Sequence, residues 1–377
     1  MKPGFSLWLD VLRAGAALVV LFGHMAHVRF TRGDYYWLRE INIASDAVIL
    51  FFVLSGVVIA YAAGRDGSLG RFAFNRLTRV WTVVLPALVL TVLFDAWGES
   101  INPAAYPEDY YQPKPLWEMA WRGLSFTNEW QGALSDRLRL GTNGPLWSLS
   151  YEVGFYALFA VALYLRGALR WVLAALIALL VGVPILALLP AWGLGVAVWY
   201  LVAPRASPPD VSSRKKAWGL AVGAPVVLIL LKAMELDARL TALTVETLAP
   251  LSHHAVLGYS DEVLWNSVMA VLIAAHLIGV WQLCTERAIA PEGGFARAVR
   301  WVAGGSFSLY VVHYPALHLL DATLPETLPL YDFWLLGGVL AICFGFAALF
   351  ERPLGFYRKA LRAAAQALPV RAARAAG

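Results

Sequence analysis

An all-α membrane protein, a bundle of about ten transmembrane helices with both termini cytoplasmic, is the fold class this sequence predicts, and three observations carry it. The 377 residues are 60% hydrophobic and only 15% charged, with a mean hydropathy of +0.63. An ordinary soluble domain carries about 25% charged residues. The apolar residues fall in runs of about 18–22, the length at which a helix crosses a hydrocarbon core of about 30 Å. Lys and Arg also gather in alternate connections, as they do in polytopic proteins whose basic loops stay in the cytoplasm. A single integrated domain over residues 1–377 accommodates all three.

The expected spans are 6–28, 46–63, 78–95, 146–165, 171–189, 191–203, 217–233, 265–283, 302–320 and 332–350. With the N-terminus inside, this partition puts 21 of the 30 Lys and Arg, but 6 of the 25 Asp and Glu, on the cytoplasmic side. The basic stretches are Arg65–Arg79, Arg205–Lys216, Arg287–Arg300 and the tail from Arg352 to Arg374, whereas the loops 96–145, 234–264 and 321–331 are acidic. The net charge of +5 therefore reports topology rather than a nucleic-acid partner. Cys284 and Cys343 lie within or beside spans without secreted-type spacing, so no disulfide framework is implied. Asp10 and Arg13 interrupt the first apolar stretch and no cleavage site follows, which marks a retained helix rather than a signal peptide. The loop 204–216 is turn-rich, and the basic tail 352–377 is expected on anionic headgroups with no appended soluble domain.

In the first span, Arg13 and His24 are eleven positions apart with small or apolar residues between them. Three helical turns place them on one face, roughly 16 Å apart. Ionisable groups at that depth are costly and by default mark a functional path. His24 suits a general base, because a histidine changes charge near neutral pH. Arg13 keeps its proton and must meet an anion, a carbonyl or Asp10 one turn away. His27 follows three residues later and is expected on much the same face, nearer the outer surface; no carboxylate pair or Cys completes a metal set with it.

The second span carries Phe51-Phe52-Val53-Leu54-Ser55-Gly56, in which Gly56 permits close helix approach and Ser55 bonds across helices. Before the third span, Arg76 and Arg79 stand one turn apart, either ordinary positive-inside residues or a fork suited to phosphate. The outer segment 96–145 is rich in aromatics (Trp97, Tyr106, Tyr110, Tyr111, Trp117, Trp121 and Trp130) that suit interfacial anchors or a sugar-stacking platform. The fourth span opens with Gly144-Pro145-Leu146-Trp147-Ser148 and brings Glu152 into an apolar helix. A carboxylate there either orients the imidazole or serves as a structural hydrogen-bond partner. In the ninth span Tyr310 and His313 share a face, and the tenth ends in Glu351-Arg352-Pro353, expected to pair or cap.

Taken in order, these blocks resemble the acyltransferase-3 family of integral membrane O-acyltransferases. Arg13 and His24 satisfy its Arg-x10-His pattern, Phe51–Gly56 its aromatic-Ser-Gly block, and Arg76 and Arg79 its basic block. Trp147, Ser148 and Glu152 are similar to its Trp-Ser-Leu-x-x-Glu block, Ser308, Tyr310 and His313 to its Ser-Leu-Tyr-x-x-His block, and Glu351 and Pro353 to its late Glu-x-Pro. The acidic residue that often precedes the Phe-Phe pair is replaced by Ile49, with Asp46 three residues earlier as its substitute.

The resemblance implies transfer of an acyl group, often acetyl, from cytoplasmic acyl-CoA to a hydroxyl of an envelope carbohydrate or lipid-linked glycan, in a bacterial inner membrane. On that reading His24, Arg13 and Glu152 are catalytic. Arg76, Arg79, Arg13 and Ser55 hold the donor, and Trp147, Ser148, Tyr310, His313 and His27 meet the acceptor. No metal is expected. Two other classes stay open on the residues alone: a proton-coupled transporter with a His24/Glu152/His313 relay, and an envelope glycan polymerase or ligase using a polyprenyl-linked sugar.

Overall fold

The computed structural model of the chain describes residues 1–107, 111, 114–132, 136–203, 211–248, 257–284 and 293–375. Tyr110 of the aromatic segment, residues 204–210 of the turn-rich loop, Arg287 and the last two residues of the tail lie outside the described residues. Among the described residues the fold is all-helical. Its main elements are α1 (Pro3–Met25), α2 (Ile43–Asp66), α3 (Leu69–Ile101), α4 (Leu116–Ser125), α5 (Trp147–Tyr164), α6 (Gly167–Val181) and α7 (Val183–Val202). They are followed by α8 (Val211–Trp218), α9 (Ala224–Ala233), α10 (Leu236–Leu248), α11 (Val263–Leu283), α12 (Gly294–Ala303), α13 (Ser306–Thr323), α14 (Tyr331–Phe350) and α15 (Leu354–Ala375).

Eight stretches among these are long and apolar enough to cross a membrane: α1, α2, α3, Gly144–Tyr164, α7, Ser213–Ala233, α11 and Tyr331–Ala364. The other two expected spans take a different form. The pair expected at 171–189 and 191–203 breaks at Gly182 instead, leaving α6 only 15 residues long. Gly182 adopts a positive φ of 82° that ends the helix, whereas Pro190 is tolerated inside α7. The span expected at 302–320 is α13, 18 residues that include His313, Pro315, His318 and Asp321, and most of its side chains are buried by protein.

Chain contacts resolve two compact units: Met1–Leu69 with Ser125–Arg139 and Leu146–Ala303, and Gly70–Leu124 with Leu140–Pro145 and Gly304–Gly377. In the first unit, α2 and α7 meet backbone to backbone. A Cβ built on Gly56 would lie 2.2 Å from the Trp192 carbonyl oxygen, and one on Gly195 would lie 2.0 Å from that of Val53. In lipid, where apolar burial between helices drives little, such close packing is a main source of association. An aromatic core of Phe52, Tyr151, Phe155 and Trp192 fills the space beside that crossing. Lys2, nearly buried, donates to the carbonyls of Trp281 and Cys284, and so places a cation at the C-terminal end of α11.

In the second unit, α3 is 33 residues long, about 50 Å, and outruns a hydrocarbon core. Arg76 and Arg79 therefore sit about two and three turns inside this helix rather than before it. The loop 140–145 is latched to α3 and α13. Asp95 accepts from the Thr142 hydroxyl (2.5 Å) and amide (2.9 Å), while Asn143 Nδ2 donates to Thr91 Oγ1 and the Val311 carbonyl, both at 2.9 Å. Glu351 accepts from the Ser308 amide at 2.8 Å, capping the first turn of α13, which is one of the two roles expected of it.

The aromatic outer segment divides by burial. Trp97, Trp117 and Trp121 are exposed, as interfacial anchors are, and α4 carries the last two. Tyr106 is buried and packs edge-on against Tyr111 and near His318, so it offers no open face to a sugar ring. Asp46, the substitute for the missing acidic residue, is held by Lys232 and by Trp265 Nε1 at 2.9 Å.

Candidate active site

The helical repeat of α1 carries Arg13 and His24 on one face, as their spacing requires. Arg13 is a quarter exposed and has protein partners. It pairs with Asp10 at 3.4 Å and donates to the Ala303 carbonyl at 3.1 Å, at the C-terminus of α12, where the helix dipole favours a cation. Of the partners expected for Arg13, Asp10 and a carbonyl are thus both met, the second from a distant part of the chain. His24 stands partly buried in the last turn of α1.

His27 belongs to a different element. Helix α1 ends at Met25, so the chain has turned before His27, which no longer shares the His24 face. Its Nδ1 accepts from the Arg29 amide at 3.2 Å and caps the short helix Val28–Thr31. Burial first, then the charges of Arg39 and Arg29, hold its pKa below the ordinary histidine value. Because the folded-state value lies below the unfolded one, this cap is fully present above the unfolded histidine pKa of about 6.5 and is lost as pH falls through the lowered folded value. Wild type is therefore expected to lose more of its thermal midpoint between about pH 8 and pH 5 than His27→Asn, whose cap does not titrate. Equal losses in the two proteins would remove His27 as the titrating group.

Glu152 is a carboxylate of the first unit held from two helices. On α5, Tyr156 lies one turn beyond it and donates to Glu152 Oε1, as does Ser55 Oγ from α2. Trp192 Nε1 on α7 donates in turn to Ser55 Oγ at 3.3 Å, which uses the hydroxyl as acceptor as well as donor. The Gly56 contact with α7 is what brings the Trp192 ring within that reach. Hydrogen bonds to a charged group contribute about 1.5–3 kcal/mol each, so three helices are tied through this carboxylate. Glu152 Oε2 has no hydrogen bond to protein among the described residues. Among the described residues the hydrogen bonds of Glu152 run to Ser55 and Tyr156. Ser55, expected at the donor, is committed to Glu152.

Trp147 stacks on Tyr259 with ring centres 4.3 Å apart and planes 12° from parallel, and meets Tyr151 edge-on at 5.0 Å. One face of its indole is therefore covered. Burial raises the Tyr259 hydroxyl above the ordinary tyrosine range. Ser148 is buried in the first turn of α5. Nearby in the same unit, Glu262 accepts from Asn42 and from Ser45 Oγ, and burial pushes its carboxyl above the usual carboxylate range against the Ser45 bond.

The second unit holds the remaining expected residues. Tyr310 donates to the Pro145 carbonyl at 3.1 Å and so joins the latch on loop 140–145. His313 is fully buried, and its Nδ1 donates to the Leu309 carbonyl at 2.9 Å. The two rings are 6.2 Å apart, as their shared face demands. Arg76 lies over the Phe72 ring at 5.8 Å, and Arg79 is exposed. Among the described residues no group of three or more His, Cys, Asp or Glu side chains is placed to hold a metal ion.

Tyr156 and Trp192 are the site residues that the sequence motifs leave out. Tyr156 was detectable as the i+4 neighbour of Glu152, since such pairs share a helix face. Trp192 carries no local signal, because it reaches the cluster from a helix more than 130 residues from Ser55 in the chain.

Apolar helices long enough to cross a membrane, with an arginine, a histidine and a hydrogen-bonded carboxylate among them, define a multi-pass membrane protein with ionisable groups inside its bundle. The family model described as an acyltransferase domain, that of acyltransferase-3, matches residues 6–349, and the chain belongs to that family. It is 29% identical over 155 residues to an acyltransferase of Streptomyces mycarofaciens, a match covering 40% of this chain and 37% of that protein. It is 28% identical over 155 residues to an O-acetyl transferase of Shigella phage Sf6, covering 41% of this chain and 44% of the relative. The matched part thus spans less than half the length of either relative. No solved structure matches.

Proposed function

We propose that this multi-pass membrane acyltransferase moves an acyl group, acetyl by preference, from cytoplasmic acyl-CoA to a hydroxyl of an envelope carbohydrate or glycolipid. The observation that carries the reading is α1 itself, whose single face presents an arginine and a histidine three turns apart in a family of acyltransferases. The bias of Lys and Arg supports both termini on the cytoplasmic side of an inner membrane. A donor entering from that side meets the Arg13 end of α1 before the His24 end.

In the proposed reaction the His24 imidazole takes the proton of the acceptor hydroxyl as its oxygen attacks the thioester carbonyl carbon. A carbon–oxygen bond forms, the carbon–sulfur bond breaks, and the leaving thiolate takes the proton back from the imidazolium. Glu152 serves the acceptor rather than the base: Oε1 is saturated by Ser55 and Tyr156, and Oε2 accepts from a second acceptor hydroxyl. Arg13 holds the donor's polar chain, and Arg76 and Arg79 attract its phosphates as charge-assisted partners.

Mass spectrometry of envelope glycans from cells with and without this protein tests the reading directly. One acyl mass increment is expected to disappear with the protein, and fragmentation to place it on a hydroxyl. Identical glycan masses in both, with uptake of a solute coupled to protons, would replace the enzyme reading with the transporter.

A further inference from the structure

We infer that α15 contributes a second, preformed site for a phosphate-dense anion, in the cleft lined by Gly355, Arg358, Lys359, Arg362 and Ala363. The cleft is open to its surroundings and measures about 480 Å³. That is within the roughly 300–1,000 Å³ typical of small-molecule sites and larger than one phosphate needs. Three of its five lining residues are cations.

The positive charge is held in place rather than loosely displayed. Arg358 Nε donates to Thr78 Oγ1 at 3.0 Å and its Nη2 to the Asn75 carbonyl at 2.6 Å, fastening α15 to the basic stretch of α3. These two anchor residues flank Arg76, and Thr78 adjoins Arg79. Arg362 lies over the Phe74 ring at 5.1 Å, so its aliphatic stem and guanidinium are also oriented. Among the described residues Lys359 and Arg362 form no ion pair. No Asp or Glu occurs between Asp66 and Asp95 on the α3 side, nor anywhere after Glu351 on the α15 side. Both segments thus carry basic residues without acidic ones, and a concave surface of one sign concentrates counter-ions of the other.

Ordinary positive-inside placement accounts for basic residues near a membrane surface. It does not account for an arginine spent on bonding α15 to α3 so that three cations line one cleft. Two ligands share the required chemistry: the nucleotide phosphates of coenzyme A, and the phosphodiester of an anionic lipid headgroup. The first of these rests on the proposed function, and the second does not.

The test uses the full chain in nanodiscs of zwitterionic phosphatidylcholine, comparing wild type with Lys359→Gln/Arg362→Gln. Both side chains are exposed, so the fold should survive, which the thermal midpoint checks. Binding of coenzyme A is expected to weaken about tenfold, the scale of two charge-assisted contacts partly screened by water. Inorganic pyrophosphate should compete with coenzyme A in wild type and much less in the variant. In a second arm, native mass spectrometry counts phosphatidylglycerol retained from mixed-lipid nanodiscs. Retention that falls in the variant while coenzyme A binding holds would assign the cleft to lipid. If wild type binds no coenzyme A yet keeps the lipid through Lys359 and Arg362, the donor reading fails and the anion site stands. Unchanged coenzyme A binding together with unchanged lipid retention overturns the site.

Discussion

Replacing His24 with alanine is expected to lower acyl transfer by about 10²–10⁴-fold, the usual contribution of a positioned general base. The loss should fall on kcat, because the imidazole acts on the acceptor proton in the transition state and contributes little to holding the donor. Coenzyme A binding and the thermal midpoint should stay near wild type, since His24 stands in the final turn of α1 and α1 continues to pack through Phe5, Leu9, Ala17, Val20 and Leu21. Labelled acyl-CoA and membranes carrying the variant suffice for the measurement. Transfer at the parental rate would exclude His24 as the base. Loss of donor binding with an unchanged rate at saturation would reassign it to the donor path.

The second large effect is one of packing. Gly56→Ala places a methyl group where 2.2 Å separates it from the Trp192 carbonyl oxygen, and backbone atoms on two rigid helices do not yield as a side-chain tip does. Overfilling a packed contact costs about 1–3 kcal/mol and more when the backbone itself must move. Separation of α2 from α7 would also lengthen the 3.3 Å contact between Trp192 Nε1 and Ser55 Oγ, loosening the hydroxyl that holds Glu152. The expected result is a clear drop in thermal midpoint together with reduced transfer. Gly64→Ala on the same helix, where nothing lies within 4 Å of the new methyl, should leave both unchanged. Equal behaviour of the two variants would show that the crossing carries no such constraint.

Local pattern made much of this molecule legible. Apolar run length predicts spanning helices because a chain in hydrocarbon must satisfy its backbone internally. The spacing of Arg13 and His24 predicts a shared face because the helical period is set by the backbone alone. The same rule announces Tyr310 with His313, and Glu152 with Tyr156. Boundaries were less legible where a glycine and a proline compete. The break between α6 and α7 falls at Gly182, with Pro190 absorbed into the helix, because positive φ ends a helix outright while a proline forfeits one bond that neighbours can replace. His27 was misplaced for a related reason: the helix stops at Met25, two residues short of carrying it onto the His24 face.

The amino-acid sequence by itself determined the class of fold, the membrane setting and the acyltransferase family, since each depends on composition, periodicity or motifs read along the chain. Only the tertiary structure decided which partner each polar group takes. Ser55 and Glu152 are 97 positions apart, and Arg358 meets Thr78 across 280. No local preference encodes such pairings, because they arise from which helices the close contacts and buried hydrogen bonds bring together. Glu152, for which the motif left open the imidazole or a structural hydrogen-bond partner, is thus bound to a serine and a tyrosine, and the basic tail begins with an arginine fastened to α3.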